Sequence, residues 1–217
     1  LRDIKYVLKK YNFTGRIIDV GCGIKPYRNL FKNADDYKGI DFEKYSKNPQ
    51  FKKSRPDFYF SKNYNEKLNL PFSSNSYDNA VCFQVLEHHK NPGKLILEIL
   101  RITKKDGFIL LSFPFIWGLH EKPNDYSRIT EYGLLDIIKG CKSKVLLKKK
   151  QGSVFSTISI LLNDYIANFA NKNKISYLMG CLMIIPCLLF SYLCIILDKI
   201  FPSKEIFLNY LVLIKKL

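Results

Sequence analysis

Over the first two-thirds of the chain, short apolar runs alternate with stretches of helical spacing, and this alternation restricts the fold more than any other feature. The apolar runs fall at residues 16–20, 37–41, 57–60, 79–83 and 107–113. Helical spacing appears at Ile4, Val7, Leu8 and Tyr11, and over residues 26–32, 92–103 and 131–139. Parallel strands need long crossovers, usually helices, so the pattern predicts βαβ units and a parallel sheet covered on both faces. "KSKVLLKKK" and "IFLNYLVLIKK" read as two more strands, the last in the chain. Between them lies a segment that belongs to neither.

Within that segment, residues 175–197 are 23 consecutive residues without a formal charge. At about 1.5 Å per residue such a helix exceeds the roughly 30 Å of a bilayer's hydrocarbon core. Pro186 interrupts the run, and a chain returning to the same sheet must end on the side where it began, so the expectation is a kinked, re-entrant or monotopic hairpin. The preceding "SVFSTISILLNDYIANFANKNK" reads as a weaker apolar stretch for the head-group plane. The competing reading is a soluble helical subdomain or a dimer interface. With 35 Lys and Arg against 19 Asp and Glu, the net charge of +16 suits anionic partners such as lipid head groups or phosphorylated substrates. No signal peptide is expected at the first residues, which lack an apolar core. Six cysteines occur without a CxxC pair, so neither a metal site nor a disulfide framework is expected.

The first strand runs into "IIDVGCGIKPY", where Lys25 and Pro26 stand in place of a dinucleotide loop's third glycine. Proline offers no N–H to a phosphate, and Asp19 beside the glycines would repel one. A ligand carrying an ammonium and a sulfonium, as S-adenosylmethionine does, suits the same residues.

From here the sequence resembles the class I S-adenosylmethionine-dependent methyltransferases, in particular the type 11 methyltransferase domain, over about residues 13–140 and the final strand. Asp19, Gly21 and Gly23 match the family's Asp/Glu-x-Gly-x-Gly, and Asp41 matches the acidic residue at the end of the second strand that takes both ribose hydroxyls. After the third strand Ser61 stands where a carboxylate for the adenine amino group is expected. The series continues with "LPF", Tyr77-Asp78, "LEH" after strand four, a helix, and "KKDG" before strand five. The resemblance implies a Rossmann-like, doubly wound, seven-stranded α/β sheet with the last strand antiparallel and an apolar helical insertion before it. It implies a methyltransferase domain over residues 1–150 and 205–217, with the insertion over 151–204. The cofactor is then expected at Asp19, Gly21, Cys22, Gly23, Asp41, Phe42, Ser61, Gln84 and Glu87.

Methyl transfer needs alignment of acceptor and methyl, plus a base where the acceptor is a hydroxyl. His88, His89 and His120 all fall in loops after strands four and five, and His88 and His120 are the expected catalytic pair. "HEKPNDYSRIT" resembles a loop of type 11 enzymes that accompany polysaccharide and lipid-glycan synthesis, which places His120, Glu121, Asp125, Tyr126 and Arg128 toward substrate. A structural reading stands beside it, with Asp125 pairing Arg128 and Thr130 capping a helix. The expectation is O-methylation of a glycan, sugar-nucleotide or lipid-linked acceptor at the inner face of a membrane touched through residues 154–204. The alternatives are a lipophilic acceptor such as a quinone precursor, or a non-catalytic scaffold. Nucleic acid ranks low: the basic residues are scattered and no Asn/Asp-Pro-Pro-Tyr/Phe tetrapeptide occurs.

Overall fold

The structure is a computed structural model in which residues 1–43, 54–60 and 69–217 are described. It divides into two compact units: one of residues 1–113, 121–149 and 210–217, the other of 114–120 and 150–209.

The first unit is built on a seven-stranded sheet: β1 Gly15–Val20, β2 Ala34–Asp41, β3 Phe58–Tyr59, β4 Asn79–Phe83, β5 Phe108–Pro114, β6 Ser143–Gln151 and β7 Asn209–Lys216. Their order is β3-β2-β1-β4-β5-β7-β6, and β1 to β5 pair in parallel. β7 runs antiparallel: the Asp106 N–H donates to the Lys216 carbonyl and the Leu217 N–H to the Lys142 carbonyl, so its end lies beside the starts of β5 and β6.

β4 is buried at every position, as expected of a strand covered on both faces. Its register with β1, Ile17 opposite Asn79 and Asp19 opposite Val81, brings the carboxyl ends of both strands to one edge. Strand order reverses at that pair, which is where open α/β sheets leave a crevice for ligands.

Among the described residues, three helices belong to this unit: α1 Arg2–Lys10, α2 Pro92–Ile102 and α3 Glu131–Ile137. α2 begins where Asn91 accepts from the Lys94 N–H at 3.0 Å and Pro92 takes the first turn. It buries Leu95, Ile96, Ile99, Leu100 and Ile102, each contributing about 1.5–3 kcal/mol. The helix expected over residues 26–32 does not form; one 3-10 turn, Arg28–Leu30, takes its place. Lys25 has a left-handed φ of +54° and its ammonium is held by Asp57, so the chain is drawn across Gly39 rather than wound into a helix.

The second unit is dominated by α4 Val154–Ala170 and α5 Lys174–Ile200, which pack as a hairpin. α5 runs unbroken through Pro186, so the turn lies not within the apolar run but before it, at residues 171–173, and α4 is the returning arm. The hairpin's base is polar: Asp198 accepts from the N–H groups of Phe155 and Ser156, both at 2.9 Å, and Ser153 accepts from the Ser203 N–H at 2.6 Å. An acidic group at α4's first turn also complements its dipole.

Candidate active site

β1 ends in a loop whose two glycines serve different purposes. Gly21 has φ +75°, and a Cβ there would lie 2.2 Å from a methyl of Val85, which follows β4. That glycine lets the first loop pack against the fourth. Gly23 also has a positive φ, +51°, but a Cβ there would meet none of the described residues within 4 Å. Cys22 is buried, with its sulfur in the gap left by the missing side chain of Gly39.

The Gly23 N–H donates to Asp41 Oδ2 and the Phe42 N–H to Asp41 Oδ1, both at 2.7 Å. These two donors fix the plane of the carboxylate, and an ionised carboxylate has acceptor sites for about four hydrogen bonds. The Phe42 ring packs on Phe60 at 4.7 Å and stacks on His89 at 6.3 Å. Asp19 is buried and accepts from the Tyr37 hydroxyl at 2.6 Å. Burial, reinforced by the charge of Asp41, pushes its carboxyl up to about 7.

Sequence reasoning passed over the Lys25–Asp57 pair. The Lys25 ammonium, almost wholly buried, lies 2.5 Å from Asp57, which also accepts from the Gly39 N–H at 2.7 Å. The hydrogen bonds from Lys25 and Gly39 outweigh partial burial and hold the Asp57 carboxyl below its ordinary value. A lysine where a third glycine is expected was the available signal. Ser61, the expected adenine contact, lies outside the described residues.

Beyond β4, Gln84 adopts φ +55° and its amide donates to Ser112 Oγ at 3.0 Å. Glu87 is buried in a 3-10 turn, Leu86–His88, rather than lying in solvent. His88 Nδ1 is 2.7 Å from the Asn124 carbonyl, so Nδ1 carries the hydrogen and Nε2 is the basic nitrogen of the neutral ring. Nε2 lies 3.8 Å from Glu87 Oε1. His89 is buried, and desolvation lowers it to about 4.

The donor set fits S-adenosylmethionine: a braced carboxylate for two ribose hydroxyls, a buried carboxyl for an ammonium, and space at Gly23 that a side chain would fill. Residues 18–111 match the model of a methyltransferase domain, the type 11 family. Residues 18–111 belong to the class I methyltransferase domain family.

An uncharacterized methyltransferase of Mycobacterium tuberculosis is 31% identical to the chain over 113 residues, 48% of this chain and 42% of that one. An uncharacterized protein of Methanocaldococcus jannaschii is 24% identical over 145 residues, 65% of this chain and 50% of that one. The chain thus spans about half the length of the curated relatives it matches. Among solved structures, the cyclase SpnF superposes with a TM-score of 0.60 at 18% identity, covering 99% of this chain and 80% of that one. A candidate methyltransferase from Bacillus halodurans gives 0.60 at 12% identity, with 100% and 99% coverage. Likeness at this identity shows the fold, and a cyclase on that fold is a reminder that fold does not fix reaction.

Residues 121–130 belong to the first unit. Asp125 and Arg128 form a bidentate pair at 2.5 and 2.8 Å, and the Thr130 hydroxyl accepts from the Gly133 N–H at 3.1 Å, capping α3. The structural reading of both is therefore present. The Tyr126 N–H donates to the Glu87 carbonyl at 2.8 Å, and its exposed hydroxyl reaches Asn124 Oδ1 at 3.2 Å. The Tyr126–Glu87 bond and the bond from His88 Nδ1 to the Asn124 carbonyl join this loop to the turn after β4. His120 belongs to the second unit, where Nδ1 lies 3.1 Å from the Gly118 carbonyl.

Proposed function

We propose that the chain is an S-adenosylmethionine-dependent methyltransferase that O-methylates a glycan, sugar-nucleotide or lipid-linked acceptor at the inner face of a membrane. The observation that carries the catalytic half is the Asp41 carboxylate braced by the Gly23 and Phe42 N–H groups, beside the space left at Gly23 among the described residues and inside the residues that match the methyltransferase domain. S-adenosylmethionine, when bound, supplies an electrophilic methyl group on a sulfonium. Asp41 holds the ribose hydroxyls, and Asp19, once ionised, faces the ammonium of the methionine part. Gln84 and Glu87 line the floor below. His88 Nε2 takes the acceptor hydroxyl's proton as its oxygen gains the methyl, with His120 the second candidate base. Glu121, Asp125, Tyr126 and Arg128 shape the acceptor side.

The membrane half rests on the hairpin's inverted side-chain pattern. A helical hairpin in water buries large apolar side chains between its helices and turns polar ones outward. Here the seam holds small and polar groups: Ser159 and Asn163 donate to Ser191 Oγ at 2.8 and 3.0 Å, and Gly180 faces Ala170. Leu178, Leu182, Ile185, Leu189 and Tyr192 stand outward, more than 60% exposed. Helix pairs in lipid are built this way, since their apolar faces need no shelter. α5 is long and apolar enough to cross a bilayer and only 6% of its most apolar stretch is buried. Lys172 and Lys174 mark one end of the hairpin and Lys199 and Lys204 the other.

A lipophilic acceptor such as a quinone precursor is the second reading, favoured by the same exposed apolar surface. Methylated products identified by mass spectrometry, from membrane extracts against purified glycans, separate the two.

Isothermal titration of the full chain with S-adenosylmethionine tests the catalytic half. Asp41→Ala removes charge-assisted hydrogen bonds worth about 1.5–3 kcal/mol each, so affinity should fall at least tenfold. Folded wild-type protein that shows no binding would remove the proposal. Vesicle flotation of the full chain against one lacking residues 154–204 tests the membrane half, which fails if both partition equally to the soluble fraction.

A further inference from the structure

We infer that the groove between α4 and α5 binds one hydrocarbon chain of an anionic phospholipid, whose head group sits at Lys172 and Lys174. The inference rests on the membrane reading of the hairpin. The groove encloses about 450 Å³, within the roughly 300–1,000 Å³ of small-molecule sites.

The groove exists because the two helices are pinned at two levels and kept apart between them. Near the turn, Gly180 lies so close to Ala170 that a Cβ would come within 2.5 Å of the alanine's own. Further along, Ser191 takes the hydrogen bonds of Ser159 and Asn163 while donating to the Cys187 carbonyl at 2.7 Å. Between these pins Ala167, Cys181 and Cys187 leave room that Ile166, Met183 and Ile184 border. The neighbouring outward positions are Leu, Ile and Met, so space is kept only on the side that faces the groove.

Charge decides the occupant and its direction. At the turn the groove ends at Asn171 and Tyr177, beside the exposed Lys172 and Lys174 and the amino end of a 27-residue helix. Two cations and a positive helix end favour an anionic group. At the other end the lining residues Asn163 and Leu188 carry no formal charge. The walls between are predominantly apolar and continue into lips of exposed Leu and Ile, so the ligand enters sideways from a hydrocarbon phase. A chain of one alkyl width with an anionic head meets all of these conditions.

The test is photolabelling of the full chain, reconstituted in phosphatidylcholine vesicles, with phosphatidylglycerol carrying a diazirine in one acyl chain, followed by peptide mass spectrometry. Labels should concentrate on Ala167, Cys181, Met183 and Cys187 over the outward Leu178, Leu182 and Leu189. Excess unlabelled phosphatidylglycerol should suppress them at least tenfold more effectively than phosphatidylcholine. Lys172→Gln with Lys174→Gln should erase that preference, and Ala167→Leu with Cys181→Leu should abolish groove labelling while vesicle flotation persists. Labels spread evenly over the outward positions would overturn the groove, and stronger competition by a polyisoprenyl phosphate would overturn the choice of lipid. A wild-type chain that does not float removes the membrane reading itself, an outcome distinct from floating with even labelling.

Discussion

Replacing each of the two loop glycines by alanine should separate folding from ligand binding. Both adopt positive φ, so an alanine at either costs about 1–2 kcal/mol in backbone strain. At Gly21 the new Cβ also meets the Val85 side chain, with methyl carbons at 2.2 and 2.7 Å, and overpacking of this kind costs about 1–3 kcal/mol more. Gly21→Ala should therefore lose about 2–5 kcal/mol against about 1–2 for Gly23→Ala. For a chain of this length each kcal/mol lowers Tm by about 2–4 °C, giving shifts of about 4–20 °C and 2–8 °C. Thermal unfolding followed by near-ultraviolet circular dichroism reads both, and isothermal titration with S-adenosylmethionine gives the second axis. Gly23→Ala should fold and lose at least tenfold in affinity, since its methyl group enters the ligand's space. Adding Val85→Ala to Gly21→Ala removes both methyl carbons and leaves Cβ at 3.0 Å, so it should recover much of the lost stability. The reasoning is refuted if Gly21→Ala is as stable as Gly23→Ala, or if Gly23→Ala binds like wild type.

Asp19 gives a pH test: its carboxyl titrates at about 7 when folded against an ordinary value near 3.8, so between those limits the folded state holds a proton the unfolded state has lost. Stability without ligand should therefore fall as pH rises from about 4 to 7, by at most about 1.4 kcal/mol per unit, and Asp19→Asn should flatten the slope in urea titrations. Affinity for the cationic ligand should rise over the same window; a decrease would contradict the role given to Asp19. His88→Ala should lower kcat by about 10²–10⁴ with the S-adenosylmethionine Kd unchanged, and His88→Ala and His120→Ala both leaving the rate at wild type would remove the base assignment. Lys25→Met leaves Asp57 without its closest cation and should weaken cofactor binding severalfold while Lys25→Arg retains most of it, measured by titration calorimetry.

The strands were legible because each is an apolar run bounded by turn residues, and β4 matches its expected limits at both ends. The loop after β1 was legible as a turn because its two glycines mark it, and both take positive φ. Other features depend on partners distant in sequence. Lys25 finds Asp57 32 residues away by passing over Gly39, and no local pattern announces such a crossing. That contact in turn accounts for the missing helix after β1, whose Pro26 resembles a helix start. Gly21 likewise meets Val85, 64 residues on and in a different strand's loop. In the hairpin, composition nominated the apolar run but could not tell which arm returns, because α4 carries Asn163 and Asp164 and reads as only weakly apolar.

The position of β7 has a consequence for how the molecule is made. It follows the other six strands of this sheet in sequence, yet it lies between β5 and β6. Until it is made, β5 and β6 each lack the native partner that it supplies. The hairpin leaves the ribosome before β7 does, so a growing chain presents its most water-averse stretch while the sheet is still open. Closure of the sheet must therefore wait until the whole hairpin has been made.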